Sequence, residues 1–279
     1  MARTYQPPHR RWSFLATGGL VLVVIAFAYP FIWMSLAAFK SNTEIFNPNQ
    51  LWPTTWDLEP AQRLLSGEWF PFWRVFFNSL FIALTQSLLA VIITSLAGYV
   101  FANSKSWFTR ILFFLSLVVI VIPVQSLAVS LFVWVNDLYL IDRLWGVILP
   151  GAVSGLGVIW FTQIFRQVPA TLREAAQLDG ASEWRVWWML LPALLPALIS
   201  FGLIHFVLAW HEHLLAMLIL QSPEQQTLPV AISSLYSSSM RFPYAALMAG
   251  SVLTLIPTVI LFAVCFRRFK SALADVIMH

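Results

Sequence analysis

His205, His211, Glu212 and His213 fall together inside one apolar run, Leu194–Leu220. An ionisable group at membrane depth is costly to hold, so its presence there points to function. Three chemistries are open to this set: ligation of a metal, hydrogen bonding between packed helices, and lining of a path for a polar solute. On a continuous helix His205 and Glu212 share a face, while His211 and His213 point elsewhere. The HExxH spacing of a zinc site is absent, so a metal would need ligands from other segments. A hydroxyl-rich solute needs polar groups and aromatic faces, which Trp210, His211 and Glu212 offer as path residues. Asn78, Gln86 and Gln125 are uncharged polar groups in other apolar runs. Such amides either bond across helices or join the path, and Asn78 and Gln125 are its further candidates.

No catalytic set accompanies these residues. The chain has no GxxxxGK[ST] loop to cradle phosphates and no nucleophile beside a base, so it is read as a non-enzyme that draws energy from a partner. The single cysteine, Cys265, excludes an intrachain disulfide and a thiolate metal site.

The elements that position these groups are set by composition. Of 279 residues, 59% are hydrophobic and 10% charged, against roughly 25% charged in soluble domains. This is an all-α integral membrane protein, because lipid leaves continuous apolar runs no other way to pair their backbone amides. Six runs reach the roughly 20 residues that cross a bilayer: Trp12–Ala38, Phe76–Phe101, Phe108–Val135, Leu144–Phe165, Leu194–Leu220 and Ala245–Phe266. Arg10 and Arg11, with Ala26-Phe27-Ala28 beyond them, suggest a secretory leader. The run continues to Phe39, longer than the roughly 15 residues of a leader, and is read as the first span.

Orientation follows from Lys and Arg. With the N-terminus cytoplasmic, that side receives Arg3, Arg10, Arg11, Lys105, Arg110, Arg166, Arg173, Arg185, Arg267, Arg268 and Lys270. The other side receives only Lys40, Arg63, Arg74, Arg143 and Arg241, so both termini are expected in the cytoplasm. The basic residues sit in short clusters beside apolar runs, which makes them topology signals and leaves nucleic acid out as a partner. On the outer side, Lys40–Trp73 is rich in Pro and Trp, as an interfacial cap would be, and Gln221–Tyr244 is polar, with Ser233, Ser234, Ser237, Ser238 and Ser239.

Between the fourth and fifth spans lies Glu174-Ala175-Ala176-Gln177-Leu178-Asp179-Gly180-Ala181. Pro169 suits a first helical position, Leu172–Leu178 reads as a short helix, Gly180 stops it in a left-handed turn, and Ser182 caps a second helix running toward Pro192. The hairpin, residues 167–192, is expected to expose Ala175, Ala176 and Ala181 to a partner's surface, with Glu174 and Asp179 at the rim.

This stretch resembles the signature of the permease subunits of bacterial ABC importers, Glu-Ala-Ala, two residues, Asp-Gly-Ala, then a helix ending in Leu-Pro, here Leu191-Pro192. Asn78-Ser79, Ile148-Leu149-Pro150, Trp210, Leu228-Pro229 and the run from Ala249-Gly250 to Pro257 are similar to the carbohydrate-uptake branch, in particular the second permease of the maltose type. The likeness implies one six-span permease domain over residues 1–279, in the bacterial inner membrane. Its implied partners are a second homologous permease, two ATP-binding subunits that hold ATP and Mg, an external solute-binding protein and membrane lipid. The hairpin would be the contact through which ATPase closure drives alternating access for a sugar or sugar-like solute. Three departures stand out: a shorter run from Gly180 to Pro192, Trp210-His211-Glu212 where Trp-Asn precedes an acid, and a tail, Arg267–Asp275, without the family's glycine-rich ending. The rival from the residues alone is an ion-coupled secondary transporter relaying protons through Glu212 and its neighbouring histidines.

Overall fold

Helices carry the apolar runs in the computed structural model, which describes residues 10–235 and 243–277, with side chains for 16–235 and 243–265. In chain order they are α1 Arg10–Ala37, α2 Asn42–Ile45, α3 Glu59–Ser66, α4 Phe72–Asn103, α5 Trp107–Val121, α6 Ala128–Asp137, α7 Leu144–Gly151, α8 Gly155–Arg166, α9 Ala170–Leu178, α10 Glu183–Leu190, α11 Leu195–Trp210, α12 Leu214–Ile219, α13 Leu228–Ser234 and α14 Tyr244–Ile277. No strand occurs among the described residues. Ser237, Ser238, Ser239 and Arg241 lie outside them, as do the side chains of Arg267, Arg268 and Lys270.

Three of the six expected spans are single helices: α1, α4 and α14 contain stretches long and apolar enough to cross a membrane. The other three depart from continuous spans. In the third, Trp107–Val121 and Val124–Asp137 meet at 98°. Pro123 causes this break: Ile122 before it is extended (φ −78°, ψ 118°), and Pro123 then caps a 3₁₀ turn, Val124–Leu127. The fourth bends by 43° between α7 and α8, where Ser154 restarts the helix by accepting from Gly157 N–H at 3.3 Å. The fifth is interrupted at residues 211–213, and its first half, α11, makes an 83° bend with α10. Pro257 leaves α14 unbroken, and Pro196 falls in the first turn of α11, where its missing N–H costs no helical bond.

α4 is the axis of the bundle, packing against α8, α11, α7, α13, α5 and α3. Lipid is as apolar as any side chain, so helices associate there through close van der Waals contact, which small residues permit. Ser79, Ala83, Ser87, Ala90, Thr94 and Gly98 form such a buried strip along α4. Gly98 makes the tightest use of it, since a Cβ there would stand 2.5 Å from Phe161 Cβ and 2.8 Å from the Thr162 nitrogen of α8. Three apolar clusters follow the helix. One joins Phe72 and Val75 to Phe206, Trp210 and Leu228. A second joins Ile82 to Val147, Ile148 and Ile219. The third joins Ala90 and Tyr99 to Phe161, Phe165, Val186, Trp187 and Phe201.

At the end of the bundle opposite α9 and α10, Asp142 ties the α6–α7 turn to the exit of α12. Its carboxylate accepts from the Gln221 N–H at 3.0 Å, the Ser222 N–H at 2.9 Å and the Ser222 hydroxyl. Burial alone would raise this carboxyl, but the hydrogen bonds from Ser222 and Gln221 outweigh it and hold the group below the usual carboxylate range.

Two outcomes are expected. Gly98→Leu forces α4 and α8 apart and lowers stability by about 1–3 kcal/mol, read as a drop in Tm of the detergent-solubilised chain. For Asp142, a depressed folded value means the contribution is present above the unfolded carboxyl value of about 3.9 and is lost as pH falls through the folded one. Hydrogen exchange at the Gln221 and Ser222 amides should therefore hold its protection at neutral pH and weaken in acid, and Asp142→Ala should lose it at every pH.

Candidate coupling hairpin and intramembrane polar site

The segment from Pro169 to Leu190 folds as the two-helix hairpin its composition calls for. Pro169 is the N-cap of α9, one position before the first helical residue where it was expected. α9 ends in a Schellman closure: Gly180 N–H donates to Gln177 O and Ala181 N–H to Ala176 O, both at 3.0 Å. Gly180 takes φ +78°, and a Cβ there would meet nothing within 4 Å, so the glycine is required by conformation and not by space. Ser182 is the N-cap of α10 in extended conformation.

Glu174, Ala175, Asp179 and Gly180 are exposed on this hairpin. Ala176 and Ala181 correct the sequence reading: both are partly buried and pack toward the third apolar cluster. They lie on the side of the hairpin that packs onto the cluster of Tyr99, Phe165, Val186 and Trp187, so tertiary contact covers them. What the hairpin presents instead is apolar: Leu178 is 89% exposed, and Leu172, Trp184, Trp188 and Met189 are exposed as well. Val186 and Trp187 anchor it from below. Polar ties add direction. Gln177 Nε2 donates to Glu183 Oε1 at 2.6 Å, joining the two hairpin helices, and the Tyr99 hydroxyl of α4 donates to Glu183 Oε2. Tyr99, 4% exposed, is held edge-on against Phe165 of α8. This tie was missed in the sequence, since Tyr99 and Glu183 lie far apart in the chain with no spacing to link them.

The intramembrane set divides. Because α11 ends at Trp210, His205 and Glu212 do not lie on one continuous helix, and their shared face is lost. His205 is buried, its Nε2 2.9 Å from Gly151 O, which joins α11 to the end of α7. Trp210 is 1% exposed. Its Nε1 donates to Thr254 O of α14 at 3.0 Å, and its ring stacks on Phe206 and meets Phe76 edge-on. That ring is committed to packing and has no face left for a path. Asn78 is likewise committed, donating from Nδ2 to Glu224 O at 2.9 Å and to Gln226 O at 3.0 Å.

His211 is exposed at the end of α11. Glu212, half-buried in the break, accepts the Leu215 N–H at 2.9 Å and so caps the restart of the helix at α12. Gln125, in the 3₁₀ turn of the other broken span, lines the same small cleft as Glu212, with Val124, Ala128, Leu131, Leu214 and Leu215. Two helix breaks thus meet, one bringing a carboxylate and the other an amide. Among the described residues the ion pairs are those of Arg63 with Glu59 and Glu68, so Glu212 has no cationic partner.

Comparison with known proteins agrees with this architecture. Residues 90–275 match the family model described as "Binding-protein-dependent transport system inner membrane component". The chain is 28% identical over 267 residues to the arabinooligosaccharides transport system permease protein AraQ of Halalkalibacterium halodurans, covering 92% of each. It is 28% identical to the lactose transport system permease protein LacG of Rhizobium radiobacter, covering 89% of this chain and 91% of that one. It is 29% identical to the sulfoquinovosyl glycerol transport system permease protein SmoH of Agrobacterium fabrum, covering 88% and 86%. Its fold is similar to a chain in the crystal structure of a bacterial ABC transporter involved in import of the acidic polysaccharide alginate. There the TM-score is 0.81, with 20% identity over 96% of this chain and 100% of the other.

Proposed function

From the premise that this chain belongs to the family of inner-membrane components of binding-protein-dependent transport systems, we propose that it is a permease subunit of an ATP-driven importer for a sugar or sugar-like solute. It works beside a second homologous permease, two ATP-binding subunits that hold ATP and Mg, and an external solute-binding protein. The observation that carries the coupling role is the hairpin of α9 and α10. It is a glycine-closed projection with Leu178 exposed at its turn, further exposed apolar residues along its helices, and Val186 and Trp187 buried beneath it. An exposed apolar patch of this kind marks a protein contact. With no phosphate loop of its own, the chain meets its energy source there. The Lys and Arg distribution supports a cytoplasmic hairpin and cytoplasmic termini.

The sugar assignment rests on relatives whose names refer to arabinooligosaccharides, lactose and sulfoquinovosyl glycerol. Glu212 and Gln125 supply an acceptor and an amide at the meeting of two broken helices. Discontinuous helices form solute sites in other transporters for the same reason, because backbone and side-chain polar groups become available there without facing lipid.

Proline cannot adopt the φ of +78° at Gly180. Gly180→Pro should therefore cut ATP-driven uptake at least about tenfold, while the chain still inserts and keeps its helix content by circular dichroism. Uptake of labelled arabinooligosaccharides and lactose by the complete transporter in vesicles is the measurement, and parent-level uptake by Gly180→Pro would sink the coupling role.

A further inference from the structure

We infer that α4 is a transmission rod. Tyr99 is the positioning residue that fastens it to the hairpin, and Asn78 and Ser79 fasten it to the segment at the opposite end of the bundle. The inference rests on the reading of the hairpin as the ATPase contact. At the hairpin end, Val186 and Trp187 pack against the third apolar cluster, a contact without direction that allows sliding. Among the described residues, the side-chain hydrogen bond that joins the hairpin to a span is that from Tyr99 to Glu183. Glu183 is itself tied to α9 through Gln177, so both hairpin helices move with it.

At the other end, Asn78 Nδ2 holds the carbonyls of Glu224 and Gln226, and Ser79 Oγ accepts the Leu228 N–H at 2.8 Å. These bonds secure the chain on both sides of the buried Thr227, at the entry to α13. Tyr99 lies 21 residues beyond Asn78 on one unbroken helix, a rise of about 32 Å, close to the roughly 30 Å of a bilayer's hydrocarbon core. The third, fourth and fifth apolar runs, by contrast, are interrupted. A displacement entering any of these would be absorbed at its break, whereas α4 carries it whole. Charge-assisted and amide hydrogen bonds at its ends give the direction that apolar contact lacks.

The test uses the complete transporter in lipid nanodiscs, with Cys265→Ser to remove the native thiol and Glu224→Cys as a reporter at the far end. The rate of maleimide labelling is measured with and without ATP plus vanadate, alongside Tm and the amount of ATP-binding subunit that co-purifies. In the parent the nucleotide changes the labelling rate. Tyr99→Phe and Glu183→Ala should each shrink that change about fivefold, at parent co-purification and near-parent Tm, and the double variant should do no more than either single one. Parent-like nucleotide response in either single variant, additive losses in the double, or loss of the ATP-binding subunits from the variants overturns the rod alone. A parent that shows no nucleotide response, or never binds those subunits, overturns the coupling role and the rod together.

Discussion

Close approach of α4 to its neighbours is the constraint on which the rest of the bundle depends. In lipid there is no gain from moving a leucine off the surface, so helices hold together only where their backbones come near enough for dense contact. The strip from Ser79 to Gly98 provides that approach, and Gly98 sits directly against the backbone of α8. Its hydroxyls do not compromise it. Thr94 bonds Ala90 O within α4, and on the facing helix Thr162 bonds Val158 O at 2.6 Å, so neither leaves a buried donor unspent.

Around this continuous helix the other spans are broken, and polar chemistry gathers at the breaks. An interrupted helix frees backbone groups that lipid cannot satisfy, so it is tolerated only where protein surrounds it. In the isolated chain the backbone around Pro123 is exposed and residues 211–213 are partly covered, and Gln125 and Glu212 line one cleft beside these breaks. Glu212 serves its own break by capping Leu215. That capping gives the carboxylate a partner where, among the described residues, no cation pairs with it, and the residue also lines the cleft.

The hairpin draws on both features. Its closure is local, set by Gly180, while its attitude is set by contact with α4 and α8 through Tyr99, Phe165, Val186 and Trp187. On the proposed coupling role, the closed hairpin and the unbroken helix would act together, one meeting the partner and the other carrying the displacement.

Much of this was legible in residue order. Hydropathy located the six apolar runs, because each must satisfy its backbone internally. The pattern from Glu174 to Ala181 located the hairpin, and Gly180 its left-handed turn, because those are local matters of φ and capping. A proline such as Pro123 breaks a helix by its own geometry, but the 98° that follows is not local, since how far a break opens depends on what packs on either side. Tertiary structure alone decided which polar residues remain available. Trp210 and Asn78 have the same chemistry as any lining residue, yet their partners, Thr254 O for one and Glu224 O and Gln226 O for the other, come from distant parts of the chain. His205 and Glu212 lost their common face because the helix ends between them. Ala176 and Ala181 turned inward for a related reason: a residue's type fixes what it can bond, and only the packed bundle fixes what stands within reach.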